Sequence, residues 1–243
     1  MRMLTFAKRC AKEILRDPLN LAFGLGFPVV ILLLLSAIQA NIPVELFEIG
    51  HLTPGVTVFG LSFITLFSAT LVARDRESSF LQRLYTTPLT AGDFILGYML
   101  PVIPIAAIQG LVSYAVAWLL GLEITVNVVY AVLLLAPISV FYIALGLLCG
   151  SVFNVKQVGG ICGALLTNLS AWLSGVWFDI ELMGNGFLGI AEALPFIHAV
   201  ELERGILSGN FEGIWTHIAF VFGYGTVITV AAIFAFLKKM KNQ

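Results

Sequence analysis

The stretch Pro18–Val44, PLNLAFGLGFPVVILLLLSAIQANIPV, contains no Asp, Glu, Lys or Arg. A helix needs about 20 apolar residues to cross a hydrocarbon core of about 30 Å, and this run is long enough. Working outward, five more windows share the property: Ile49–Ala73, Phe94–Leu122, Ile124–Val155, Gln157–Phe178 and Gly213–Leu237. Inside lipid every backbone N–H and C=O needs a partner, and a helix supplies all of them within one segment. The windows are continuous apolar runs without dyad alternation, which argues against a β-barrel. They predict an all-α polytopic membrane protein with six spans, over 20–40, 56–73, 94–119, 126–149, 158–178 and 214–237.

Composition agrees. Of 243 residues 59% are apolar and 11% charged, against about 25% charged in a soluble domain. So few charges cannot cover the apolar surface of a soluble globule, which excludes an ordinary cytosolic enzyme, a disordered chain and a nucleic-acid binder. Cys10, Cys149 and Cys162 have neither metal-ligand nor disulfide-framework spacing. The first apolar run follows basic residues, as in a secretory signal. It is longer than the usual h-region, and no small-x-small site follows Leu35, so cleavage is not expected.

Charge is sorted between the two faces. Of the 13 Lys and Arg, all but Arg204 fall before span 1, after span 2, after span 4 or after span 6. The positive-inside rule makes that face cytoplasmic and places both termini there, in a cell (inner or plasma) membrane. The opposite face carries Glu45, Glu48, Glu123, Asp179, Glu181, Glu192, Glu201, Glu203 and Glu212.

Three segments are not spans. Residues 2–17 read as a two-faced helix, with Met3, Phe6, Ala7, Cys10 and Ile14 among its apolar half and Lys8, Arg9, Lys12, Glu13 and Arg16 in its polar half. Such a helix is expected to lie in the interface, apolar face in acyl chains and cations among head groups. Asp17-Pro18 ends it. The cytoplasmic segment 74–92 carries Arg74, Arg76 and Arg83, and an apolar ridge at Phe80, Leu81, Leu84 and Tyr85. Pro88 closes it, and Thr90 or Asp93 caps the next helix. This is either a link between spans or a ridge that sits in a groove of a soluble partner. Residues 179–213 are too polar to span and too apolar for a free linker, and read as one or two short outer-face helices.

Four of these stretches, in this order, resemble the membrane subunit of type-2 ATP-binding-cassette exporters, the permeases that include drug-resistance and polysaccharide-export members. They are Ile14-Leu15-Arg16-Asp17-Pro18, Leu52-Thr53-Pro54-Gly55, the run Arg74–Leu89, and Leu194-Pro195-Phe196 followed by His198-Ala199-Val200 and Arg204-Gly205. The resemblance covers nearly the whole chain. Where the family often has Arg-Glu-x-Gly, this chain has Arg76-Glu77-Ser78-Ser79. The resemblance implies a single permease domain, with 2–17 as connecting helix and Leu81, Gln82, Arg83, Leu84, Thr86, Thr87, Pro88 and Leu89 as the coupling segment. It also implies a dimer of permeases, a second copy or a homologue, above two ATPase subunits that hold ATP and Mg.

The chain has no G-x-x-x-x-G-K-[ST] sequence, so hydrolysis is expected from a separate subunit and no cofactor is expected here. The windows hold no Asp or Glu for intramembrane acid–base chemistry. His217 stands alone near the outer end of span 6. His198 and Glu201, spaced i, i+3, read as ordinary surface residues rather than metal ligands.

Polar residues in the spans mark a candidate pathway. Span 5 holds Asn168, Trp172 and Ser174, and span 2 holds Phe59, Phe63 and Phe67 beside Ser62, Thr65, Ser68 and Thr70. Aromatics with a few hydrogen-bonding groups suit an amphipathic, lipid-like or drug-like molecule, and the resemblance places spans 1, 2 and 5 at the two-fold axis. The competing reading is that the hydroxyls bond to their own helix carbonyls. The competing class is an ion-coupled secondary carrier or a nucleotide-independent scaffold. A carrier usually has an ionisable group or broken helices at mid-membrane, and only the second is partly met, by Pro101, Pro104 and Pro137.

Overall fold

The computed structural model describes residues 2–42, 45–78 and 90–241. The coupling residues Leu81–Leu89 lie outside the described residues. Every described element is helical: α1 (Arg2–Leu15), α2 (Pro18–Asn41), α3 (Ile49–Glu77), α4 (Ala91–Leu119), α5 (Val126–Val152), α6 (residues 155–172), α7 (Asn185–Glu192), α8 (Pro195–Ser208) and α9 (Ile214–Lys241), with single 3₁₀ turns at Glu45–Phe47 and Ile180–Met183. Five of these helices are long and apolar enough to cross a membrane: α2, α3, α4, α5 and α9.

Local chemistry sets the boundaries. Pro18 has no N–H to donate and restricts Asp17, so α1 stops there. Asp17 then caps α2, accepting from the Asn20 backbone N–H at 3.3 Å and its side chain at 2.8 Å. Thr90 and Asp93 both cap α4, in a reciprocal box. Asn154 and Gln157 form the same box at the start of α6. The charged run Arg74–Glu77 continues α3 as helix.

The fifth window folds differently from its expected 158–178 helix. α6 begins at Val155, widens to a π-helix over Ile161–Leu166 and ends at Trp172. The Thr167 hydroxyl donates to the Cys162 carbonyl five residues back, at 2.8 Å, satisfying a group the wide turn displaces. Gly175 adopts φ +66°, and its carbonyl accepts from Arg204 Nη2 at 3.1 Å. The end of the charge-free run thus leaves the helix, and a cation from elsewhere in the fold takes up one of its carbonyls.

α3 is the central helix, in contact with α2, α4, α5, α6 and α8. α5 lies closest to it, because Gly146 and Gly150 present no side chain there. A Cβ on Gly146 would collide with the Thr65 carbonyl and stand 2.8 Å from Ser68 Cβ. The Thr65 hydroxyl donates to the Tyr142 carbonyl across the same contact, at 2.8 Å. α8 is no surface helix: Ala199, Val200 and Leu202 are fully buried, and it packs against α3, α5 and α9.

α1 departs from its expected setting. Phe6, Cys10 and Ile14 are buried in the protein, and Phe6 meets Phe94 and Tyr98 of α4 edge-on at 5.4 and 4.9 Å. Its wide apolar face is covered by α4, not by acyl chains, because α4 presents a matching aromatic surface.

A Gly146→Val substitution should lower stability in detergent by about 1–3 kcal/mol, the usual range for overpacking, read as a fall in the midpoint of thermal unfolding. Gly24, where a Cβ would meet nothing within 4 Å, serves as the control position for the same substitution.

Candidate functional site

Successive helical residues are turned by about 100°, so four consecutive side chains point around a whole helix. In the last turn of α3, Arg74-Asp75-Arg76-Glu77, each one finds a different partner. Arg74 Nη1 reaches Asp17 at the α1–α2 junction, at 3.0 Å. Asp75, buried, takes both guanidinium nitrogens of Arg9 of α1 (Nη2 to Oδ1 at 2.7 Å) and the hydroxyl of Tyr98 of α4 at 2.8 Å. Arg76 Nη1 donates to the Gly150 and Phe153 carbonyls at the end of α5, at 2.6 and 3.1 Å. Glu77 Oε1 accepts the Val155 N–H at the start of α6, at 2.8 Å.

The electrostatics fit helix ends. A cation on the carbonyls closing α5 and a carboxylate on the first N–H of α6 both oppose the local helix dipole. Burial alone would lower the Arg9 guanidinium, but the Asp75 hydrogen bond, with the charges of Asp75 and Glu13, holds it above its ordinary value. Burial likewise opposes ionisation of Asp17, yet its bonds from Asn20 and Arg74 hold the carboxyl below the usual range. Arg83 and the rest of the expected coupling segment follow directly in sequence, outside the described residues.

The opposite end of the bundle is acidic and open. A cavity of about 670 Å³ is lined by Glu45, Glu48, Asp179, Glu181, Glu192 and Glu201, with Arg204 among them. Arg204 ties this end together. It donates to Glu201 at 2.8 Å, to the His51 carbonyl at the start of α3 at 3.3 Å, and to Gly175 after α6. His217 is not alone: its Nδ1 lies 2.9 Å from Nδ1 of His198. His198 Nε2 lies 2.8 Å from the Glu192 carbonyl, which can only accept, so in the neutral pair His198 Nδ1 accepts from His217. A spacing rule confined to one helix could not reveal a pair joining α8 to α9.

The expected pathway residues are dispersed. Phe59 and Phe63 meet edge-on at 5.8 Å, and Phe59 also meets Trp177 at 5.7 Å. Phe67 lies farther along α3, beside Asn20 and Arg74. Ser174 is buried at the acidic end, where its hydroxyl donates to Ala171. Asn168 and Trp172 face outward from α6, and the Asn168 amide donates to the Ala164 carbonyl of its own helix at 2.7 Å. Ser68 and Thr70 also bond back to their own helix.

Glu203 of α8 went unnoticed as a buried group, because its sequence neighbours Glu201 and Arg204 are ordinary outer-face charges. It is fully buried, and accepts from the Tyr114 hydroxyl of α4 at 2.8 Å. Burial pushes its carboxyl up to about 8, with the Tyr114 hydrogen bond opposing.

Comparison with known proteins supplies the family. The family model described as ABC-2 type transporter matches residues 1–208. The chain is 22% identical to Nodulation protein J of Rhizobium meliloti (strain 1021) over 196 residues, covering 81% of this chain and 73% of that protein. It is 23% identical to Nodulation protein J of Bradyrhizobium diazoefficiens over 227 residues, covering 93% and 85%.

The raised Glu203 carboxyl gives a signed pH effect. Between the unfolded carboxyl value and about 8 the folded state holds a proton that the unfolded state has released, so stability falls as pH rises through that window. Glu203→Gln keeps the acceptor for Tyr114 and removes the titration. The variant should match wild type near pH 5 and unfold at higher temperature than wild type above pH 8, measured by thermal melting in detergent across that range.

Proposed function

Because the chain belongs to the ABC-2 type transporter family, as a membrane permease subunit with no catalytic site of its own, we propose that it forms one half of the membrane pathway of an ATP-driven exporter. ABC-2 permeases pair with separate ATPase subunits. Here two ATPases would sit beneath two permeases, this chain with a second copy or a homologue.

One observation carries the reading: four consecutive charged side chains, Arg74 to Glu77, tie α3 to α1, the α1–α2 junction, α4, α5 and α6. They lead into Leu81–Leu89, the proposed ATPase contact. A push on that segment is delivered to the feet of α1, α3, α4, α5 and α6 together. In the proposed cycle ATP closes the ATPases, the feet of the helices shift together, and the two permeases rock to open an outward path.

The membrane placement completes the reading. α6 is taken as span 5, which brings the spans to six: 18 residues at about 1.5 Å each reach about 27 Å, close to the hydrocarbon thickness. The face bearing Arg74 and Arg76 is cytoplasmic with both termini, and the acidic cavity opens outside. Phe59, Phe63 and the outward Asn168 and Trp172 of α6 belong to the pathway and the permease–permease boundary. The substrate class that such aromatic and amide groups suit is amphipathic, lipid-like or drug-like.

Two measurements test this. Arg83→Glu should lower co-purification of the ATPase and export together, and undiminished values of both would refute the coupling assignment. Single cysteines at the exposed Glu123 and Glu212 should react with an impermeant maleimide in intact cells, and one at the exposed Lys156 only after permeabilisation. The native Cys10, Cys149 and Cys162 are buried and give little background.

A further inference from the structure

With its wide apolar face taken by α4, α1 still leaves one edge uncovered. Leu4, Lys8, Lys12 and Leu15 recur at helical spacing along it and are all exposed, the leucines at 56% and 70%. Arg16 extends the cationic row by one more turn and is also exposed. Lys8, Lys12 and Arg16 stand four residues apart, a spacing at which like charges repel along a helix.

The acids that could neutralise the row are engaged elsewhere: Glu13 pairs with Arg9 at 2.6 Å and Asp17 with Arg74. Among the described residues no ion pair reaches Lys8, Lys12 or Arg16. Just beyond them Leu19 is 67% exposed, and the uncovered apolar face of α2 continues through Phe23, Val30 and Leu34. The edge thus carries three exposed cations, and the chain leads from it directly into the exposed apolar side chains of α2.

We propose that this corner between α1 and α2 binds an anionic phospholipid, its phosphate held by Lys8, Lys12 and Arg16 and its chains lying along Leu15, Leu19 and the exposed face of α2. A soluble acidic partner would match the cations but leave Leu4, Leu15 and Leu19 in water. A zwitterionic lipid would match the apolar wall but leave the cationic row uncompensated. The inference rests on the membrane placement of the bundle and on this face of α2 lying away from the permease–permease contact, and not on the substrate or direction of transport.

The purified full-length chain is placed in nanodiscs of phosphatidylcholine containing phosphatidylglycerol, without ATPase, and the lipids it retains are counted by native mass spectrometry. Wild type should retain phosphatidylglycerol in preference to phosphatidylcholine. A cation near a charged lipid surface is worth about 1 kcal/mol, so each Gln substitution should reduce the preference about fivefold, and K8Q/K12Q/R16Q about a hundredfold. The K8R/K12R variant should keep it, and rising salt should weaken it. Thermal melting checks that the triple variant is folded, since the Arg9–Asp75 contact on the other side of α1 is untouched. An undiminished preference in the triple variant overturns the proposal. So does a triple variant that loses only ATPase co-purification, which would make the row a protein contact.

Discussion

A charge buried at the foot of a helix bundle needs its counterpart within the protein. Asp75 is the sharpest case. Its side chain is 3% exposed, and a lone carboxylate so enclosed would be strongly disfavoured. The Arg9 fork and the Tyr98 hydroxyl remove that penalty. The same requirement binds Arg76 to the freed carbonyls of α5 and Glu77 to the first N–H of α6. Helix ends and charges solve each other's problem, and α3 is where the solutions meet.

The central position of α3 follows from packing as much as from charge. Gly146 and Gly150 bring the backbone of α5 onto α3, close enough for the Thr65 hydroxyl to reach the Tyr142 carbonyl. At the other end Arg204 holds the beginning of α3 and the chain after α6 through carbonyls alone. Both ends of α3 are thus joined to neighbouring elements by guanidinium groups bonded to backbone oxygens.

What was legible in the sequence follows from what lipid forbids. A charge-free run of sufficient length reads directly as a helix, and five long apolar helices stand where windows were found. The Thr90–Asp93 cap was also readable, because capping is local. The end of α6 was not, since the chain leaves the helix after Trp172 and Gly175 offers its carbonyl to Arg204, 29 residues away. The His198–His217 pair and the Glu203–Tyr114 bond were hidden for the same reason, each joining different helices. The hub was half legible. Arg74–Glu77 stood out as charged, but read as the start of the cytoplasmic segment beyond span 2, because sequence alone cannot tell that partners on α1, α4, α5 and α6 meet the last turn of α3.

The N-terminal helix shows most clearly what a periodic pattern does and does not determine. The 3.6-residue repeat of Phe6, Cys10 and Ile14 requires that one face leave water, and the structure agrees. It does not say whether acyl chains or another helix receive that face. Arg9 decides it. An arginine beside the apolar stripe would lie among head groups if α1 floated in the interface, but Asp75 draws it into the bundle, and the stripe must follow onto α4. Leu4 and Leu15 are then carried to the outside with Lys8 and Lys12. The Arg9–Asp75 pair and the packing on α4 thus fix which face of the helix is buried and which edge stays uncovered.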